Sequence, residues 1–340
     1  MKHRRFASLD YLRAISIVIV IVTHVLSRNL GPDLINKAWN FLHFVVPLFV
    51  FCSGYLMFRQ QELGEISPRS VLPWFLKRAI RLVLPYYGYL ALHYVLWFIF
   101  PAFFSGYGLS TSFHFITSTL LFVGVDFGWL PLLFLELMIL TPLYMRLFST
   151  SRLRLIGISI GSLMSFAFLY TDIAVDYRFV MWIPWSAIYL LSFEAAHRKL
   201  FEKAHTTHTP FLWTAVGSGV LFIILTKQLS GYGIPLTLTL HKYPPDAYYL
   251  SYSLFLGSLV AAALSQTSRQ LPWVIWLSRE AYAMYFAHYI AIDLFGSVGS
   301  DYPWPLPVQI LVIFVLSVGI VWSLGKLHQF VMRFNKTVPF

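Results

Sequence analysis

Arg13 and His24, two residues suited to anion binding and to proton or group transfer, lie inside the first long apolar run, YLRAISIVIVIVTHVL. Eleven helical positions at about 100° each return to within about 20° of the start. The two side chains therefore share one helix face, about 16 Å apart along the axis. In hydrocarbon such a stripe is costly unless it faces a wet or polar interior. There, a guanidinium would hold anions, and a neutral imidazole would act as a base or nucleophile. Taken singly, each residue also has a plainer reading, as a snorkelling arginine or a core histidine satisfied by a neighbouring helix. Three turns apart on one face, the pair favours a functional path.

Other candidates are spread along the chain. Ser53-Gly54-Tyr55 lies at the end of the second span, in VPLFVFCSGYLM, where small residues let a helix or a ligand approach the backbone. Arg78 and Arg81 share a face in FLKRAIRLVLPYY and could hold phosphate groups in bidentate fashion, or simply touch anionic lipid headgroups. Glu136 lies mid-span in WLPLLFLELMILTP, where a carboxylate needs a partner or a proton. His288 lies deep in AYAMYFAHYIAI as a packing residue or a catalyst; Glu280 reads as an interfacial ion pair with Arg279, and Asp293 as a solvated residue. No Cys/His metal spacing, G-x-S-x-G or Walker loop is present, so no metal ligands are assigned.

The elements that must position these residues are membrane helices. The chain has 340 residues, 58% of them hydrophobic and only 11% charged. A soluble domain carries more than twice that share of charge. The expected fold is therefore an all-α polytopic membrane protein of about ten transmembrane helices. Apolar runs fall near 10–29, 39–58, 84–104, 126–146, 154–171, 178–197, 210–227, 247–266, 277–297 and 305–325. The shorter stretch Phe113–Gly124 reads as a re-entrant or interfacial helix, with Pro85 beginning the third span. Arg69–Leu84 and Gly325–Asn335 read as basic amphipathic helices at the interface.

With both termini cytoplasmic, all but five of the 25 Lys and Arg residues fall on the inner side; the five are Arg28, Lys37, Arg178, Lys227 and Lys242. The net charge of +11 thus reports topology and points to no nucleic acid. MKHRR before an apolar run suggests a signal peptide, but Arg13 interrupts the run and no small-x-small site follows, so the helix is retained. The lone Cys52 rules out an intrachain disulfide. With no repeat and no soluble extension, residues 1–340 read as a single membrane domain without a fused soluble domain.

The chain resembles the integral-membrane acyltransferase 3 family over nearly its whole length. Arg13 and His24 match the family's Arg, ten residues, His signature, after the lead-in Leu9-Asp10-Tyr11-Leu12. Phe49–Gly54 resembles its Phe-Phe-x-x-Ser-Gly motif, with Phe51 and Cys52 in the variable places. Arg78, Arg81 and Pro85 look like its first cytoplasmic loop, and Trp129 with Pro142 like its middle motif. Ala281–His288 is similar to its late Ser-Tyr-x-x-Tyr-Leu-x-His pattern. Larger members often carry paired glutamates where Phe134 and Leu135 stand here, with Glu136 one step on.

The resemblance implies transfer of an acyl group, most often acetyl, from acyl-CoA to a hydroxyl of a cell-surface glycan or lipid-linked sugar. The setting it implies is a bacterial plasma membrane with its lipids. Acyl-CoA is a donor substrate, and no permanently bound cofactor is expected. Arg13, Arg78 and Arg81, with Ser53 and Gly54, would bind the donor, and His24 would be base or acyl carrier. Arg13, Glu136 and His288 complete the candidate catalytic set, and a separate extracytoplasmic protein is a candidate partner. The competing classes are an exporter of polysaccharide or small acyl compounds along the same polar path, and an assembly subunit. Cysteines placed at Arg69 and at Ser300 in a Cys52→Ser background should label from opposite sides of sealed vesicles. Labelling of both from one side would reject the ten-span count.

Overall fold

The computed structural model describes residues 6–62, 71–101, 128–171, 175–202, 208–299 and 304–337. Among these, α1 (Ala7–Ser27), the short α2 (Asp33–Phe41), α3 (Val45–Glu62), α4 (Val71–Ile99) and α5 (Trp129–Leu147) form the first half. The second half is α6 (Ser151–Tyr170), α7 (Trp182–His197), α8 (Thr209–Gly231), α9 (Ala247–Leu264), α10 (Pro272–Gly299) and α11 (Leu306–Thr337). Nine of the described helical segments are long and apolar enough to cross a bilayer. The remaining long helix, α10, has 28 residues and carries Arg279, Glu280, His288 and Asp293. It is the polar helix of the set, and among the described α-helices α2 is the one of nine residues, too short to span by itself.

Interhelical contacts give the directions. Ser278 Oγ donates to Asp10 Oδ1 at 2.7 Å near one end of α1 and α10, and Arg28 lies 3.7 Å from Asp293 near the other. Both numbers rise together, so α1 and α10 run parallel. Tyr282 meets the Leu82 carbonyl at 2.9 Å and Phe286 packs on Tyr89 at 5.5 Å, so α4 is parallel to them as well. Parallel first, third and ninth crossings are what a ten-span chain requires.

Three expectations change. Residues 71–84 are not a separate interfacial helix but the first half of α4, and Pro85 sits inside that helix rather than at a span's start. Proline removes one backbone donor and frees the carbonyl four residues back. The neighbouring carbonyl of Leu82 takes its extra bond from Tyr282. Residues 325–335 likewise continue α11 without a break. The stretch Phe113–Gly124 lies outside the described residues, as does Arg69.

Close packing of α3, α6 and α7 uses small residues. A Cβ on Gly161 would lie 3.1 Å from both Cβ and N of Ala187. A Cβ on Gly54 would collide with Ser192 Oγ and lie 2.8 Å from the Tyr189 ring. At the end of the bundle that holds Arg59 and Arg78, charges pair densely. Arg154 is fully buried. It donates to Glu194 at 2.8 Å, to the carbonyls of Phe148 and Ser149 at 3.2 and 3.1 Å, and to Ser151 at 3.2 Å. Glu194 also takes Arg198 at 2.6 Å. Arg154, which sequence alone counted only among the inner-side basic residues, is thus a structural pin. Arg154→Met should destabilise the protein by about 3–5 kcal/mol, because Glu194 loses its buried cation and keeps Ser151 and the exposed Arg198. Thermal unfolding in detergent would register it, and an unchanged midpoint would refute the pin.

Candidate active site

The residue types of α1 and α10 build the site. His24 sits in the last turn of α1 and His288 in the middle of α10, and the parallel packing of the two helices brings them together. His24 Nδ1 lies 2.6 Å from His288 Nε2, with the rings only 8° from parallel. His288 Nδ1 lies 3.2 Å from the Met284 carbonyl.

Hydrogen-bond accounting assigns the protons for the neutral rings. A carbonyl only accepts, so His288 Nδ1 carries hydrogen and its Nε2 holds the lone pair. His24 Nδ1 must then be the donor to that lone pair, which leaves His24 Nε2 as the unprotonated nitrogen. That nitrogen lies 3.4 Å from the Tyr289 hydroxyl. The relay from Met284 through His288 therefore turns the basic nitrogen of His24 away from its partner, available to take a proton or attack a carbonyl. His288, a packing residue or a catalyst on sequence alone, orients His24.

Arg13 is half-buried on the same helix, close enough to Cys52 of α3 to act on it electrostatically. Arg78 is half-buried too; it donates to Gln60 of α3 and lies 5.4 Å from the Trp74 ring. Cys52 and Gln60 are eight helical residues apart, about 12 Å. Arg78, Arg13 and His24 thus follow one another along the bundle axis. Arg81, by contrast, is exposed. Ser53 is half-buried, and Gly54 is the glycine that lets α7 close on α3. Glu136 is half-buried on α5 with its Oε2 shielded and without a hydrogen-bond partner. No hydrogen bond joins it to the histidine pair. Asp293 is buried rather than solvated, because Arg28 folds over it, and Glu280 pairs with Arg279 at 2.7 Å as expected.

Sequence reasoning missed Tyr289 and Lys242. The first was signalled only by following His288 directly in the chain. The second was counted merely as one of the few basic residues on the outer side, yet it lies close enough to His24 to act on it electrostatically.

A family model described as "Acyltransferase domain" matches residues 6–326. The chain belongs to this family, the acyltransferase 3 type, and is a multi-pass membrane protein with an acyltransferase domain. Comparison with curated proteins and with solved structures gives no significant match.

The histidine pair makes a testable demand on stability. His288→Leu strands the buried His24 Nδ1–H, at a cost of about 1–3 kcal/mol. His24→Leu/His288→Leu should lose less than the sum of the two single variants, with a coupling above about 0.5 kcal/mol. Strict additivity in detergent melting would mean that the hydrogen bond is not formed.

Proposed function

We propose that this protein is a membrane-embedded O-acyltransferase that moves an acyl group, most simply acetyl, from acyl-CoA on the cytoplasmic side to an outward-facing acceptor hydroxyl. The acceptor class is a cell-surface glycan or lipid-linked sugar, and the setting is a bacterial plasma membrane. One observation carries the reading: the His288–His24 relay leaves an unprotonated Nε2 on a helix that also carries Arg13. An exporter needs a path, whereas an imidazole held in one tautomer with its basic nitrogen turned outward suits a general base.

The side chains divide the work. Arg78 and Arg13, in line toward His24, take the phosphates of the donor and guide its thioester inward. His24 Nε2 accepts the proton of the acceptor hydroxyl as it attacks the thioester carbonyl. His288 holds His24 in the required tautomer and shares the positive charge that develops on it. Glu136 stands outside this sequence of steps.

Purified protein in detergent should release free thiol from acetyl-CoA, and His24→Ala should slow this by about 10²-fold or more. Retention of a tenth of wild-type turnover would remove His24 as the base. Direct transfer predicts intersecting lines in two-substrate kinetics, whereas an acyl-histidine intermediate predicts parallel ones. Arg13→Ala and Arg78→Ala should weaken coenzyme A binding more than that of a dephosphorylated analogue, and the exposed Arg81→Ala should do so least. Equal losses for both ligands would return the arginines to lipid headgroups.

A further inference from the structure

On the side of His24 away from Arg13, three chain segments meet. They are the 3-10 turn Leu42–Phe44 with His43, the start of α5 with Trp129, and the loop between α8 and α9. That loop is pinned at several points. His241 Nδ1 lies 2.5 Å from Asp246 Oδ2 and its Nε2 lies 2.8 Å from the Pro235 carbonyl. Asp246 also caps α9 by accepting from Tyr249 N at 3.0 Å, and Leu238 N donates to Asn40 at 2.8 Å.

Lys242 is carried on this fixed loop. Its Nζ lies 5.0 Å from the Trp129 ring centroid and 5.1 Å from that of Tyr243. It is near enough to His24 and His43 to act on both rings electrostatically. Asp246, the nearest acid in sequence, is committed to His241 and to the α9 cap. Aromatic faces hold a cation without neutralising it, so in its protonated form this ammonium is held by rings and not quenched by a carboxylate.

We propose that Lys242 is a catalytic residue that stabilises the oxyanion of the acyl-transfer step; the proposal rests on the acyl-transfer reading above. The acceptor oxygen forms a bond to the thioester carbonyl carbon while His24 Nε2 takes the hydroxyl proton. The carbonyl π pair moves onto oxygen, and this negative charge develops against the ammonium of Lys242. On collapse the C–S bond breaks, and the leaving thiolate takes the proton from His24. Lys242 remains protonated throughout. A fixed charge in a site of low dielectric, aimed at charge that forms only in the transition state, lowers the barrier more than a solvated one. The same contacts give a role to Trp129, which holds the lysine in place.

A pH signature follows. Although Lys242 is partly exposed along its length, burial of its amino group pushes the pKa down to about 7. The groups placed near it are His24 of α1, His43 and the rings of Trp129 and Tyr243; Asp246, the acid of its own loop, is held by His241. The cationic form is lost as pH rises through about 7, and activity should fall with it.

The test uses full-length protein in detergent, acetyl-CoA as donor and water as acceptor, with thiol release as readout. Lys242→Met should lower kcat by about 10²-fold with KM for acetyl-CoA unchanged. Lys242→Arg should recover much of the rate and move the alkaline limb upward, because guanidinium does not titrate there. Wild-type kcat in Lys242→Met would overturn the proposal, as would a raised KM with kcat intact, which would make the lysine a donor-binding group. An alkaline limb unmoved in Lys242→Arg would overturn it too. Wild-type protein no faster than His24→Ala would defeat the acyl-transfer reading itself and the lysine's role with it, whereas loss confined to Lys242 leaves that reading intact.

Discussion

A polar side chain in hydrocarbon has no water to fall back on, and the structure is arranged around meeting that demand for the two histidines. The 2.6 Å hydrogen bond between His24 and His288 forms only because α1 and α10 run parallel and in register, with Asp10–Ser278 below it and Arg28–Asp293 above it. Parallel neighbours eight crossings apart oblige the chain between them to turn back an even number of times. The topology of the bundle and the protonation of one imidazole are thus set by the same contact.

The two ends of the bundle solve electrostatics in opposite ways. At one end arginines meet carboxylates: Arg59 with Glu62 and Glu202, and Arg154 and Arg198 with Glu194. Those charges are spent on structure, and the paired acids hold α3, α6 and α7 to the neighbouring loops. Arg78 donates to Gln60 of α3, and Arg13 lies near Cys52 of the same helix. At the other end Lys242 rests on aromatic rings instead of a carboxylate. An ion pair is a poor catalyst and a good clamp, whereas a cation over π faces remains free to meet new negative charge.

Much of the fold was legible in the sequence because each crossing needs its own apolar stretch, and ten such stretches match, in order, the ten long helices among the described residues. Boundaries were less legible where amphipathic segments adjoin spans. The start of α4 and the end of α11 read as separate helices, because their charges suggested an interface while the backbone had no reason to break. Pro85 misled in the same way, since a neighbouring helix can supply hydrogen bonds near the carbonyl it frees.

For the site, the sequence by itself determined that Arg13 and His24 share a face of α1, since helical periodicity is a local property of the chain. It also marked His288, Glu136 and the arginines of α4 as polar residues needing a reason to be in a membrane. Only the tertiary structure decided which of them meet. It joined His288 to His24, left Glu136 outside that pair, turned Arg78 inward and Arg81 outward, and brought Lys242 beside His24 from more than 200 residues away. Those choices depend on which helices pack and in what direction, and no periodicity within one segment contains that information.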